Sequence, residues 1–388
     1  MTLTRRSFSR SLAWGASSLA LTGNAFAEAT AALKQAAELP SLDSLARAKG
    51  VRFGSTLGSL GRRSRFHDTP YRELTARECS VLVPENETKW PQIQPDPHKP
   101  LDFAAADEMF AWAKAREMVI RGHCLLWMDS RWLPQWIRQY DFGAQPRAGV
   151  EKLLTGHVRS TCTHFGRTVE SWDVVNEAVV RETGELHENL LSPHLASIDQ
   201  IELMFRLARE HAPHAQLVYN DFMDWGADNE KHRSGVLKLL AELKRRGAPV
   251  QALGVQAHIG VYDYPLKPNP QRAREWRRFL DEAMAMDLDI LVTEFDVNDK
   301  ALPADIKERD AGVAAFAKDW LDTTLDVPRL NRFLCWGLAD PHSWLQEFQP
   351  RADGLAKRCC PYDGQLQAKP LRGAIADALR AMPARPAR

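Results

Sequence analysis

Eight short β-rich runs, separated by stretches of helical spacing, constrain this 388-residue chain more than any other feature. The runs fall at residues 51–54, 79–84, 118–122, 169–175, 215–219, 252–257, 289–293 and 332–336. Successive runs begin roughly 30 to 50 residues apart, which leaves room for a helix after each strand. The intervening stretches are amphipathic. Residues 104–116 set Met109, Phe110, Trp112 and Ala113 on one side, and 201–211 and 231–246 show similar apolar spacing. Eight β-then-α units in a chain of this size predict an α/β fold of the (β/α)8, or TIM barrel, type. A doubly wound open sheet would ask for a G-x-G-x-x-G fingerprint after its first strand. Gly54, Gly58 and Gly61 do not supply it. No Pro/Ser-rich linker divides the chain, and the proline-rich run at 265–270 reads as a loop after the sixth strand.

The first residues read as an address. Arg5 and Arg6 form a twin arginine, residues 12–21 are mildly apolar, and Ala25-Phe26-Ala27 supplies an A-x-A cleavage site. The apolar run is too short to span a bilayer, which needs ~20 residues. The expected organisation is a signal peptide at 1–27, a helical lead at 28–48 and a catalytic barrel at 49–382, with a periplasmic or secreted product. The charges nearly cancel, 51 basic against 50 acidic, and no lysine/arginine block stands out, so nucleic acid is not an expected partner. Trp outnumbers Tyr, 12 to 6, which fits flat apolar ligands such as sugar rings as well as a large core. The six cysteines, Cys79, Cys124, Cys162, Cys335, Cys359 and Cys360, follow no metal-ligand spacing, and their pairing is open. A monomer is expected.

In a barrel, reacting side chains come from the carboxyl ends of the strands. Here those ends are unusually polar. The second run ends in Glu85, Asn86 and Lys89. The third ends in His123, with Trp127 just beyond. The fourth ends in Asn176-Glu177 and the fifth in Asn220-Asp221. Gln256 and His258 belong to the sixth, Glu294 and Asp296 to the seventh, Trp336 and Trp344 to the eighth. Polar groups buried at one mouth are costly unless they bond to one another or to a ligand. Glu177 and Glu294 stand on strands that face each other across an eight-stranded barrel. Such a pair suits glycoside hydrolysis, in which one carboxyl group protonates the leaving oxygen while the other attacks or activates water.

The sequence resembles the family 10 glycoside hydrolases, whose main activity is endo-β-1,4-xylanase. The resemblance is carried by Pro84-Glu85-Asn86 with Lys89-Trp90, Arg121-Gly122-His123 with Trp127, and Trp172-Asp173-Val174-Val175-Asn176-Glu177. It continues in Gln256-Ala257-His258, Thr293-Glu294-Phe295-Asp296, and Trp336-Gly337 with Trp344, in family order over residues 50–380. It implies that Glu177 is the general acid/base and Glu294 the nucleophile of a retaining double displacement on xylan or xylo-oligosaccharides. Asn176 matches a residue that binds the sugar 2-hydroxyl. Glu85, Asn86, Lys89, His123 and Trp127 match residues holding sugars on the non-reducing side of the cut, and Trp336 and Trp344 match aromatic walls. Gln256 and His258 complete the substrate-binding set. His258 is the expected donor to Glu294, with Asp296 orienting its imidazole. No metal or organic cofactor is implied.

One segment departs from the family pattern. Met128 replaces a histidine after Trp127, and the run Asp129-Ser130-Arg131-Trp132-Leu133-Pro134-Gln135-Trp136 is two residues longer. The loss of an imidazole donor near the nucleophile and a reshaped distal subsite are the expected consequences. Two rival readings exist. One is a β-glycan-binding barrel without turnover. The other is a metal-dependent hydrolase using His123, His258 and Asp296.

Overall fold

The computed structural model describes residues 39–61, 65–267 and 269–386. The twin-arginine run, residues 12–21 and the Ala25-Phe26-Ala27 site lie outside them. Among the described residues nine parallel strands form one barrel: β1 (Arg52–Leu57), β2 (Val81–Pro84), β3 (Val119–Trp127), β4 (Val169–Asn176), β5 (Gln216–Asp221), β6 (Ala252–Val255), β7 (His258–Gly260), β8 (Asp289–Asn298) and β9 (Leu330–Cys335). β1 pairs with β9, and β6 with β8, which closes the ring. All eight expected runs are strands. The difference lies in the sixth, which breaks after Val255 and resumes as β7, so that nine segments fill eight barrel positions. Ala257, at the break, has φ +65°.

The strands read as apolar runs because parallel strands here are covered on both faces. All four residues of β2 and all ten of β8 are buried. Outer helices cover them. Several open on proline, whose missing N–H costs nothing there: Pro146, Pro270 and Pro370 each begin a helix. Asp305 caps the helix Ile306–Thr324 by accepting from the amides of Lys307 and Glu308. Between the strands and the outer helices Gly122 admits the Trp172 ring, which faces Phe165 of the helix Pro146–Phe165, since a Cβ there would lie 2.1 Å from it. The short helix Leu42–Arg47 sits at the amino ends of β1 and β2. The Asp43 carboxylate accepts from the Phe53 amide and the Ser80 hydroxyl, and the Leu42 amide donates to buried Glu78. That face carries stability, while the opposite mouth is left for chemistry.

Several strands depart from regular pairing, β3 and β9 among them, and two of the departures bear on the site. Relative to β5, β4 carries an extra residue between Asp173 and Val175. Relative to β9, β8 carries one between Val292 and Phe295, and it does so again against the broken sixth strand, where Val255 faces Val292 and His258 faces Asp296. Bulges bend a strand and re-aim the side chains that follow. These two lead into Glu177 and contain Glu294. All six cysteines are buried free thiols. Among the described residues no helix is long and apolar enough to cross a membrane.

Candidate active site

The carboxyl end of β4 delivers Asn176 and Glu177. Glu177 has φ +52°, a strained backbone for a residue with a Cβ. Its amide donates to the Asn220 carbonyl at 2.9 Å, and the next amide, of Ala178, donates to the Tyr219 hydroxyl at 3.1 Å. The turn is therefore fixed on both sides. The Glu177 carboxyl group receives Trp127 Nε1 and Gln256 Nε2, each at 2.9 Å.

Glu294, on the β8 bulge, receives Asn220 Nδ2 at 2.7 Å on one oxygen and faces His258 Nε2 at 3.2 Å on the other. His258 Nδ1 lies 3.0 Å from Asp296, and the second oxygen of Asp296 accepts from Trp344 Nε1 at 2.8 Å. The two carboxyl groups share one connector. Asn176 Oδ1 accepts from Asn220 Nδ2 at 2.8 Å and from Gln256 Nε2 at 3.3 Å, and those same nitrogens reach Glu294 and Glu177. Asn176 Nδ2 is buried and finds no acceptor among the described residues, a donor ready for a ligand hydroxyl.

The surroundings push the two groups apart. Burial raises Glu177, its hydrogen bond from Gln256 and that from Trp127 pull it partly back, and the charges of Asp221 and Glu294 raise it further, to about 7. Burial also raises Glu294. There the hydrogen bond from His258, the nearby His123 and His258 rings and the Asn220 amide outweigh it and hold the carboxyl group below its usual value. Burial disfavours a charged His258, but Asp296 and Glu294 overcome this and raise it to about 10. One carboxyl group thus keeps its proton near neutrality while the other gives it up.

The remaining expected residues surround this pair. Lys89 Nζ donates to Asn86 Oδ1 at 3.0 Å and lies 5.0 Å from the centre of the Trp127 ring. Glu85 follows β2, its amide bonded to the Leu57 carbonyl and its side chain against Gly58. His123 Nδ1 is 3.0 Å from Asp173 and 4.0 Å from Glu294, and its ring meets Trp336 edge-on at 5.2 Å. The Trp344 ring meets His258 at 4.9 Å. Met128 is buried, and its sulfur takes Asn189 Nδ2 at 3.6 Å. Glu294 has both Asn220 and His258 as nitrogen partners without a residue from position 128.

His123, His258 and Asp296 do not converge as metal ligands, because each is committed to this carboxylate network. Among the described residues the one cluster with metal-ligand closeness is Asp340, Cys359 and Cys360. Lys369 Nζ already lies 3.0 Å from both Asp340 oxygens there.

Two residues have roles that their sequence positions did not show. Asn220 orients both Asn176 and Glu294. Its own oxygen accepts from Thr293 Oγ1 at 2.7 Å, which fixes the amide. Its place depends on Gly254, where a Cβ would lie 2.3 Å from Asn220 Oδ1. Asp173 holds His123 and pairs with Arg121. A charged residue inside the apolar run Trp172–Val175 was the available signal for it.

Known proteins resemble this chain in sequence and fold. The chain is similar to the endo-1,4-beta-xylanase 5 of Pyricularia oryzae, 28% identical over 346 residues that cover 88% of this chain and 78% of that one. It is similar to the beta-1,4-xylanase of Dictyoglomus thermophilum, 29% identical over 286 residues, 71% of this chain and 75% of that one. Its fold matches the native xylanase 10B of Thermotoga maritima with a TM-score of 0.75 and 29% identity, covering 87% of this chain and 98% of that one. The sequence model of glycosyl hydrolase family 10 matches residues 41–378. That match takes in every strand of the barrel and both strand-end carboxyl groups, and the chain belongs to glycosyl hydrolase family 10.

Proposed function

We propose that the protein is a retaining endo-β-1,4-xylanase that cleaves internal bonds of xylan or xylo-oligosaccharides. The carrying observation is the opposite displacement of two carboxyl groups joined through Asn176, Glu177 up to about 7 and Glu294 below its usual value. Glu294 attacks the anomeric carbon as Glu177 protonates the departing oxygen. Water then enters with Glu177 as base, and the glycosyl–Glu294 ester breaks. Asn220 and the His258–Asp296 pair hold Glu294 ionised before attack. Asn176 Nδ2 offers a bond to the sugar ring, and Trp336 and Trp344 wall the cleft. Asn86, Lys89, Glu85, His123 and Trp127 hold the glycone, and Gln256, which donates to Glu177, completes the substrate-binding set with His258.

The names of the relatives, all xylanases among those described above, support xylan as the substrate. Residues 1–27 are read as a twin-arginine export signal, 28–48 as a lead and 49–382 as the catalytic domain of a periplasmic or secreted monomer that needs neither nucleic acid nor cofactor. The test is the anomer first released from a xylo-oligosaccharide, followed by proton NMR. The β-anomer is expected, and the α-anomer would contradict double displacement.

A further inference from the structure

Trp132 belongs to none of the contacts described so far. It lies in the 127–136 run where this sequence leaves the family pattern, and it is 44% exposed, unusually open for a tryptophan. Its ring stacks on Trp127, with centroids 4.6 Å apart and planes 17° apart, and the Trp127 indole donates to Glu177 at 2.9 Å. Trp132 therefore stands on the solvent side of a ring that touches the reacting centre. The run is held in place. The Trp132 amide bonds to the Asp129 carbonyl at 2.9 Å, and the Gln135 side-chain amide donates to the Leu133 carbonyl at 2.9 Å. Leu133 and Ile137 are buried in the core beneath it. The Asp129–Arg131 ion pair immediately precedes Trp132 in the chain, with Arg131 exposed.

We propose that the open face of Trp132 is an additional sugar platform, taking a pyranose ring of a β-glycan chain that already spans Glu177 and Glu294. A flat apolar face fixed before binding loses little entropy on contact, and the apolar face of a pyranose covers it while the hydroxyls reach Asp129 and Arg131. The inference rests on the xylanase reading, which supplies the chain. The platform serves longer substrates, whose additional rings extend past Trp127 onto it.

Calorimetric binding of xylobiose through xylohexaose is measured in the Glu294→Ala background, with Trp132 intact, Trp132→Ala or Trp132→Phe. Trp132→Ala is expected to weaken the longer oligomers about five- to tenfold and xylobiose little, with Trp132→Phe recovering most of the loss. Equal affinity at every length overturns the platform. So does a loss that is the same for all lengths, or a displaced alkaline limb in the pH profile of Trp132→Ala with Glu294 intact, since either makes Trp132 a prop for Trp127. The parent enzyme is assayed on xylohexaose alongside. If it releases no shorter oligomers the xylanase reading fails, whereas cleavage with unmoved affinities removes the platform alone.

Discussion

His258 Nε2 meets the Glu294 carboxylate at 3.2 Å while its other ring nitrogen is tied to Asp296 at 3.0 Å. The imidazole is thus sandwiched between two carboxylates, which raise it to about 10 and leave it a cation at neutral pH. That cation helps to hold Glu294 ionised. Asp296→Asn removes half of the sandwich, so His258 loses proton affinity and Glu294 gains it. The acid limb of kcat/KM is expected to move up by roughly one pH unit, read from a pH profile on an aryl xylobioside.

Trp127 acts on the other limb. Its indole N–H donates to Glu177 and lowers a carboxyl group that burial has raised to about 7. Trp127→Phe keeps a ring for Trp132 to stack on but deletes the donor. The alkaline limb of the same profile is expected to shift upward, the direction opposite to a general loss of structure.

Glu177 links activity to stability. Its proton is required for departure of a poor leaving group, so Glu177→Gln is expected to lower kcat on xylan about 10²- to 10⁴-fold, with a smaller loss on dinitrophenyl xylobioside. Its folded pKa lies above its unfolded one, about 7 against 4.5. Between those values the folded state binds more protons, so the stability tied to this group is complete below pH ~4.5 and is lost as pH rises through ~7. The stability of the parent relative to Glu177→Gln, measured by denaturant unfolding, is expected to decline across that window. A constant difference would show that Glu177 titrates alike in both states.

Asn220 has no proton to give, yet it fixes both Asn176 and Glu294. Asn220→Ala is expected to cost about 10²-fold in kcat. Gly254→Ala, which places a methyl group 2.3 Å from Asn220 Oδ1, is expected to reproduce most of that loss without touching a reacting group. Steady-state kinetics on one substrate decides both.

The eight apolar runs were legible because a strand covered on both faces must be apolar throughout, and each strand end announced itself by an abrupt change to Glu, Asn, His or Trp. Glu177, Glu294 and the His258–Asp296 pair were legible for that reason, and the family resemblance gave their roles. The bulges at 173–175 and 292–295 were not, since an extra residue in a ladder leaves no mark in composition or period. Without them the aim of each carboxyl group could not be worked out. Asn220 was visible as a strand-end residue, but its importance comes from donating to two acceptors at once, a property of three strands together. Met128 was expected to cost Glu294 a donor. The thioether contacts Asn189, and Glu294 takes Asn220 and His258 as nitrogen partners.

The most direct measurement is a carbon-13 titration of the glutamate carboxyl signals in the intact enzyme, assigned with Glu177→Gln and Glu294→Gln. One signal should titrate near 7 and vanish in Glu177→Gln, and another should titrate below the ordinary carboxylate range and vanish in Glu294→Gln. Two signals titrating together, or the same values with the assignments exchanged, would contradict a proton held on Glu177 and a charge held on Glu294.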